Sequence, residues 1–296
     1  MQRRDLLRSL GASVLGVLTE RPSRPSGLLR ASVALTRSQE ALSRRAAGPT
    51  SPPLGIQLFS LRNILATDFE GTLEQVARIG YREVEFAGLF DRPAKQVRAI
   101  LDRHGLACPS SQVSLQAVTD TLSRTVADAH ALGQQYVIVP WLPQKYQDRD
   151  GFRRAADLLN HAGALLRAEG LRLGYHNHAF EFVPLGLEGI GYDLLLHSTD
   201  PELVCMELDL YWIRQGGRDP FAYFRNYPGR FRLVHIKDMA RNGAMVNVGH
   251  GTTRWPELLG VARRAGVRHF LTEHDNPADP IAFARESYRY LRALSW

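Results

Sequence analysis

Eight short apolar runs, each followed by a longer segment of helical period, constrain this 296-residue chain more than any other feature. The expected strands are Gly55–Ser60, Glu83–Phe86, Ala107–Gln112, Tyr136–Pro140, Arg172–His176, Val204–Asp209, Arg232–Ile236 and Phe270–Glu273. Between them the spacing predicts helices such as Phe69–Ile79, Ala94–His104, Thr119–Leu132, Gly151–Glu169, Trp255–Ala265 and Ala278–Leu294. In Thr72–Ile79 and Phe152–Leu166 apolar residues recur every three or four positions, which gives each helix one face to bury. Glycines stand where helices must stop, at Gly80, Gly105, Gly133, Gly170 and Gly266, because a residue without a Cβ closes the last turn cheaply. Strand–helix alternation repeated in this way implies parallel strands joined by right-handed crossovers. An open doubly wound sheet usually carries a glycine-rich phosphate loop after its first strand, and none follows Gly55–Ser60. The reading is α/β: a single (β/α)8 TIM barrel over residues 54–296, a fold that needs roughly 250 residues.

Residues 1–53 read as a leader and linker. Arg3-Arg4-Asp5-Leu6-Leu7 precedes a weakly apolar run from Leu10 to Leu18, an arrangement that resembles a twin-arginine (Tat) export signal. The run is far short of the roughly 20 residues that span a bilayer, so a periplasmic or otherwise extracytoplasmic protein without a membrane span is expected. Gly48-Pro49-Thr50-Ser51-Pro52-Pro53 has linker composition. The formal net charge is +7, but residues 1–47 hold nine arginines against Asp5, Glu20 and Glu40, so the remainder is nearly neutral. A nucleic-acid partner is therefore not expected; the partner is a small sugar, and a homo-oligomer is compatible with the sequence. Cys108 and Cys205, each in or beside an apolar run, read as two buried free thiols.

In such a barrel the carboxyl ends of the strands form the working face. Here those ends carry polar side chains that a core would reject. Strand two ends Glu83-Val84-Glu85-Phe86, where one glutamate is expected to alternate inward. Strands five to eight give Tyr175-His176-Asn177-His178-Ala179-Phe180-Glu181, Glu207-Leu208-Asp209-Leu210-Tyr211-Trp212, Val234-His235-Ile236-Lys237-Asp238 and Leu271-Thr272-Glu273-His274-Asp275. Taken singly, each such residue is more often a cap, a satisfied imidazole or a solvated carboxylate. Strands five to eight are neighbours, however, so Glu181, Asp209, His235 and Glu273 can reach one point. Three carboxylates gathered there repel one another unless a cation compensates them. An oxygen-rich set with one imidazole suits a single divalent ion, Mn²⁺ first, then Mg²⁺, Co²⁺ or Zn²⁺.

These stretches, with Gly55-Ile-Gln-Leu-Phe-Ser-Leu-Arg62, Gly174-Tyr-His-Asn-His-Ala-Phe-Glu-Phe182, His235-Ile-Lys-Asp238, Val248-Gly-His-Gly251 and Glu273-His-Asp275, resemble the xylose-isomerase-like TIM-barrel superfamily. Its members are often called sugar phosphate isomerases/epimerases, and the resemblance covers the chain from about Leu54 to its end. It implies one catalytic divalent metal held by Glu, Asp, His and Glu from strands five to eight. Asp209, His235 and Glu273 match the last three. At strand five many relatives carry a glutamate where this chain has His176; the expected ligand is Glu181, five residues on, with His176 the alternative. Gln112 stands where many relatives end strand three in histidine, which limits it to hydrogen bonding. By the same resemblance Glu181 and Glu273 double as acid and base, and His178 is a leaving-group acid or proton shuttle. Lys237 holds a substrate oxygen, Trp212 or Tyr211 stacks on a sugar ring or packs in the core, and Glu85, Gln112 and His176 complete the substrate contacts.

A metal beside glutamates suits removal of a proton next to the carbonyl of a keto-sugar, hence an isomerase, epimerase or lyase. Neither a glycine-rich loop nor clustered arginines mark a phosphate site. Some relatives with these motifs look like enzymes of 3-keto-sugars or 3-keto-glycosides, in which the C3 ketone acidifies the C2 proton and permits loss of the C1 substituent. The alternatives are an inosose (cyclitol) dehydratase or isomerase and a non-catalytic, metal-bearing sugar-binding barrel. A nuclease of the endonuclease-IV type would need a three-zinc cluster and a basic face, which the nearly neutral body does not offer.

Overall fold

The computed structural model describes residues 52–296; the twin-arginine leader and most of the linker lie outside them. Eight strands close into a barrel: β1 (Leu54–Gln57), β2 (Glu83–Phe86), β3 (Ala107–Gln112), β4 (Tyr136–Val139), β5 (Arg172–His176), β6 (Val204–Asp209), β7 (Phe231–Ile236) and β8 (His269–Thr272). Each pairs in parallel with its sequence neighbours, and β1 closes on β8. Around them lie α1 (Phe69–Ile79), α2 (Ala94–His104), α3 (Leu122–Leu132), α4 (Arg149–Ala168), α5 (Gly191–Ser198), α6 (Pro220–Asn226), α7 (Trp255–Arg264) and α8 (Pro280–Arg292). Among the described residues no helix is long and apolar enough to cross a membrane. The five helix-stopping glycines have φ of 126°, 64°, 72°, 75° and 110°, the left-handed region in which a Cβ would be strained. Cys108 and Cys205 are buried and free.

Two expected elements differ. β1 stops at Gln57 rather than Ser60, because the Gln57 side chain accepts the Phe59 N–H at 2.9 Å and turns the chain into a 3-10 segment, Leu58–Leu61. The helix expected over Thr119–Leu132 is two pieces, Leu115–Thr119 and α3. At the break the Thr119 hydroxyl donates to Asp120 Oδ1 at 2.7 Å and also lies 3.3 Å from the Leu115 and Gln116 carbonyls, and such local bonds compete with helix continuation.

Strand periodicity of two puts Glu83 and Glu85 on the same face, so both turn inward, not one. Glu83 meets His269 Nδ1 at 2.9 Å, and His269 packs edge-on against Tyr136 with ring centroids 5.5 Å apart. Tyr136, Ile138, Cys205, Leu233 and Leu271 form a small apolar cluster inside the barrel, separate from the large core between strands and helices. Gly55 and Gly174 make room for it, since a Cβ at either would lie 2.5 Å from Leu271 Cδ2 or Ile138 Cδ1.

Past β7 the chain is braced by one carboxylate. Asp238 accepts the N–H groups of Met239 (2.9 Å), Gly249 (2.9 Å) and Gly251 (3.1 Å), the Thr253 hydroxyl (2.7 Å) and the Trp255 indole N–H (3.0 Å). Val248-Gly-His-Gly251 is therefore an architectural motif: its glycine N–H groups feed Asp238, and a Cβ on Gly251 would collide with that carboxylate. Asp238→Asn turns an amide NH2 against N–H and O–H donors, and should cost about 2 kcal/mol of stability. Denaturant unfolding measures this; an unchanged midpoint would remove the bracing role.

Candidate active site

Period-two geometry at the carboxyl ends of β5 to β8 brings His176, Glu207, Asp209, His235 and Glu273 together, all buried. Two overlapping trios have ligand atoms within 4.8 Å of one another: His176, Glu207 and His235, and Asp209, His235 and Glu273. The orientation of each side chain distinguishes their roles. Asp209 Oδ1 accepts the N–H groups of Tyr211 (2.9 Å) and Trp212 (2.8 Å), and the Asp209 N–H donates to Asn177 Oδ1 (3.0 Å), which fixes Oδ2 towards the centre. His235 Nε2 lies 2.9 Å from Glu85 Oε1 and 3.2 Å from Glu207 Oε2, while its Nδ1 meets Glu273 Oε2 at 2.6 Å. His176 Nδ1 meets Glu207 Oε2 at 3.1 Å, and its Nε2 lies 3.7 Å from Asp209 Oδ2. Each imidazole thus has one nitrogen on the deep carboxylates and the other on the upper group.

Lys237, two residues past His235 and on the same face, sends its ammonium to Asp209 Oδ2 (2.9 Å), Glu273 Oε2 (2.8 Å) and Asp275 Oδ1 (2.7 Å). Burial alone would raise the Glu273 carboxyl, but Lys237 and then His235 outweigh it and hold it at about 2. Burial opposes charge on His235 too, yet Glu207 and Glu273 raise its pKa well above the ordinary value. Burial, with Glu85 beside it, pushes Glu207 to about 8.

Over this cluster opens a cavity of about 600 Å³ lined on its polar side by Gln112, His176, His178, Lys237, Glu273 and Asp275. It brings together most of the residues expected from sequence, but not all. Glu181, expected as ligand and acid/base, lies in a 3-10 turn (Phe180–Phe182) with no solvent exposure. Its oxygens accept the Tyr175 hydroxyl at 2.7 Å and the His178 N–H at 2.9 Å, and burial pushes its carboxyl to about 8. It belongs to neither trio; His176 occupies that side instead. Glu85, expected to touch substrate, does not line the cavity, because Gln57 Nε2 (2.6 Å), Ser110 Oγ and His235 Nε2 consume its oxygens inside the barrel. Trp212 stands beside the cavity, its ring 5.9 Å from Lys237 Nζ and 5.6 Å from the His178 ring. Tyr211 donates its hydroxyl to the Gly243 carbonyl and serves the loop.

His178 was expected as a leaving-group acid or a proton shuttle, and its surroundings suit the proton-accepting part of the latter. Burial, and then the charge of Lys237, lower its pKa to about 4, so the ring is neutral at ordinary pH, with its Nδ1 buried away from the cavity. A neutral imidazole accepts a proton; the leaving-group acid would need a protonated one. Sequence reasoning passed over Glu207, although it stands two residues before Asp209 and so must share its face.

The donor set fits a divalent cation. Positions that draw a proton between imidazole and carboxylate, as His235 and Glu273 do, also draw a metal ion. His176 Nε2, Asp209 Oδ2, His235 Nδ1 and Glu273 Oε2 make an N/O group suited to such an ion, and the far nitrogens of both imidazoles rest on carboxylates, the arrangement that fixes histidine ligands.

The family described as the xylose isomerase-like TIM barrel matches residues 73–294. An inosose dehydratase of Geobacillus kaustophilus is 27% identical over 190 residues, 56% of this chain and 61% of that protein, so the chain matches less than two thirds of its length. The inosose dehydratase of Lacticaseibacillus casei is 25% identical over 268 residues, 76% of this chain and 89% of the other. Among solved structures, a sugar phosphate isomerase/epimerase from Parabacteroides distasonis superposes with a TM-score of 0.74 at 25% identity, covering 83% of this chain and 96% of that one.

Proposed function

The chain belongs to the xylose isomerase-like TIM barrel family, and on that premise we propose an enzyme that removes a proton beside the carbonyl of a keto-sugar with one divalent cation, an isomerase, epimerase or lyase. The observation that carries this is the meeting of Asp209, His235 and Glu273 beneath the cavity, with His176 Nε2 3.7 Å from Asp209 Oδ2. These four would hold the ion, Mn²⁺ by preference, with Mg²⁺, Co²⁺ or Zn²⁺ compatible. Bound there, the ion supplies Lewis acidity towards a ketone oxygen and its neighbouring hydroxyl. His178, neutral and on the cavity wall, takes the carbon-bound proton. The Lys237 ammonium, whose three N–H groups are engaged by Asp209, Glu273 and Asp275, places a positive charge at the cavity wall beside the substrate oxygen on which negative charge develops. Glu181 acts through His178, whose backbone N–H it fixes. Return of the proton gives isomerisation or epimerisation. In a 3-keto-glycoside, loss of the C2 proton lets the C1 substituent leave with its bonding pair, forming a C1–C2 double bond.

The two inosose dehydratases favour a second reading, in which the same proton removal from a cyclitol ketone expels water. In D2O with Mn²⁺, a 3-keto-glucoside is expected to take deuterium at C2 or release its aglycone, followed by NMR. If the glycoside is inert and an inosose loses water, the second reading replaces the first. If both substrates are inert, the enzymatic proposal fails.

A further inference from the structure

The cavity lining is chemically mixed, and the proposed proton transfer uses its charged residues alone. The same lining carries Phe59, Val113, Leu115, Pro140, Trp141 and Pro143. Five large apolar side chains are exposed among the described residues; two are aromatic, Phe59 at 39% and Trp141 at 49%, and both line this cavity. Exposing an indole and a phenyl ring costs hydrophobic free energy that burial elsewhere would recover, and neither ring is loose. Trp141 sits between Pro140 and Pro143 just after β4, with the neighbouring Leu142 fully buried. Its ring is held at 4.9 Å from the His178 ring and 4.7 Å from Phe180. Phe59 is steadied on one face by the Arg62 guanidinium at 4.0 Å, and Arg62 is itself tied to the Phe59 and Asp275 carbonyls at 2.8 and 2.7 Å.

A volume of about 600 Å³ lies within the roughly 300–1,000 Å³ of sites for drug-sized ligands, more than one sugar ring fills. We propose that Trp141 and Phe59 form a subsite for a flat aromatic aglycone, so that the substrate is an aryl keto-glycoside rather than a free ketose or cyclitol. This rests on the keto-sugar reading above for the identity of the ring at the charged residues. The sugar ring lies over His176, Lys237 and Glu273, and the aglycone packs against Trp141, whose π-face prefers a flat partner. Because the aglycone leaves with the C1 bonding pair, the subsite holds the leaving group beside His178, which is in ring contact with Trp141.

The test uses the full chain loaded with Mn²⁺ and two unreactive probes, phenyl glucoside and methyl glucoside, with binding measured by calorimetry. Phenyl glucoside should bind about tenfold more tightly, and Trp141→Ala should erase that preference while Trp141→Phe keeps much of it. Equal affinity for the two probes, no binding of either, or an equal loss for both in Trp141→Ala would overturn the subsite. So would sedimentation showing that Trp141→Ala breaks an oligomer, because the ring would then be covered by another copy. A phenyl preference without turnover of 3-keto-glucosides keeps the subsite and sinks the chemistry; equal turnover of phenyl and methyl 3-keto-glucosides, unaltered in ratio by Trp141→Ala, does the reverse.

Discussion

Asp209→Asn should lower divalent-metal affinity by more than about a hundredfold and abolish metal-dependent turnover, while leaving the barrel folded. Substituting a group that only orients a metal ligand costs about 10–100-fold, and Asp209 is placed to bind directly. Its Oδ1 is committed to the Tyr211 and Trp212 N–H groups, a role the asparagine carbonyl can fill. That choice puts the amide NH2 where Oδ2 now faces Lys237 Nζ at 2.9 Å. The substitution removes one negative charge and sets donors against an ammonium and an incoming cation. Lys237 keeps Glu273 and Asp275, at 2.8 and 2.7 Å, so the metal-free fold retains its main charge compensation. Mn²⁺ calorimetry and elemental analysis of the purified variant decide the matter. Wild-type metal content would dissolve the proposed ligand set, and a collapsed fold would show that Asp209 is chiefly structural.

The barrel could be read from sequence because its signals are local. Period-two strands, period-3.6 helices and the stops at Gly80, Gly105, Gly133, Gly170 and Gly266 are each set by neighbouring residues, and the structure reproduces them closely. The break at Asp120-Thr121 was hidden because side-chain competition for helix carbonyls leaves apolar spacing intact. The meeting of Asp209, His235 and Glu273 could also be foreseen, since each ends a strand and neighbouring strands deliver their ends to one place. At strand five the sequence offered Glu181 with His176 as the alternative, and the choice between them could not be made. His176 ends β5, whereas Glu181 lies past it in a turn whose direction depends on the Tyr175 hydroxyl and His178 N–H it accepts. Protonation was equally out of reach: the neutrality of His178 comes from burial and from Lys237, both consequences of tertiary packing. The two cavity aromatics were missed because Phe59 lies in the 3-10 segment where β1 was expected to continue and Trp141 in the loop after β4, where alternation carries no information about facing.

Glu207→Leu should weaken divalent-metal binding by about 10–100-fold although Glu207 need not touch the ion. Its Oε2 receives three donors: Gln112 Nε2 at 3.2 Å, His176 Nδ1 at 3.1 Å and His235 Nε2 at 3.2 Å. With those nitrogens engaged, His176 Nε2 and His235 Nδ1 face Asp209 and Glu273. That carboxylate therefore sets the ring orientation and tautomer of His176 and shares His235 with Glu85. Leucine has a similar shape and ends the repulsion between Glu207 and Glu85, which favours the fold; it also strands the His176 Nδ1–H, at about 1–3 kcal/mol. These opposing effects leave the barrel standing while the His176 ring is freed to turn and His235 keeps Glu85. The variant loaded with Co²⁺ should show an altered visible spectrum, and saturating Mn²⁺ should restore part of its turnover, which it cannot do for Asp209→Asn. An unchanged cobalt spectrum with wild-type Mn²⁺ affinity would mean that the His176 imidazole is held by strand packing alone.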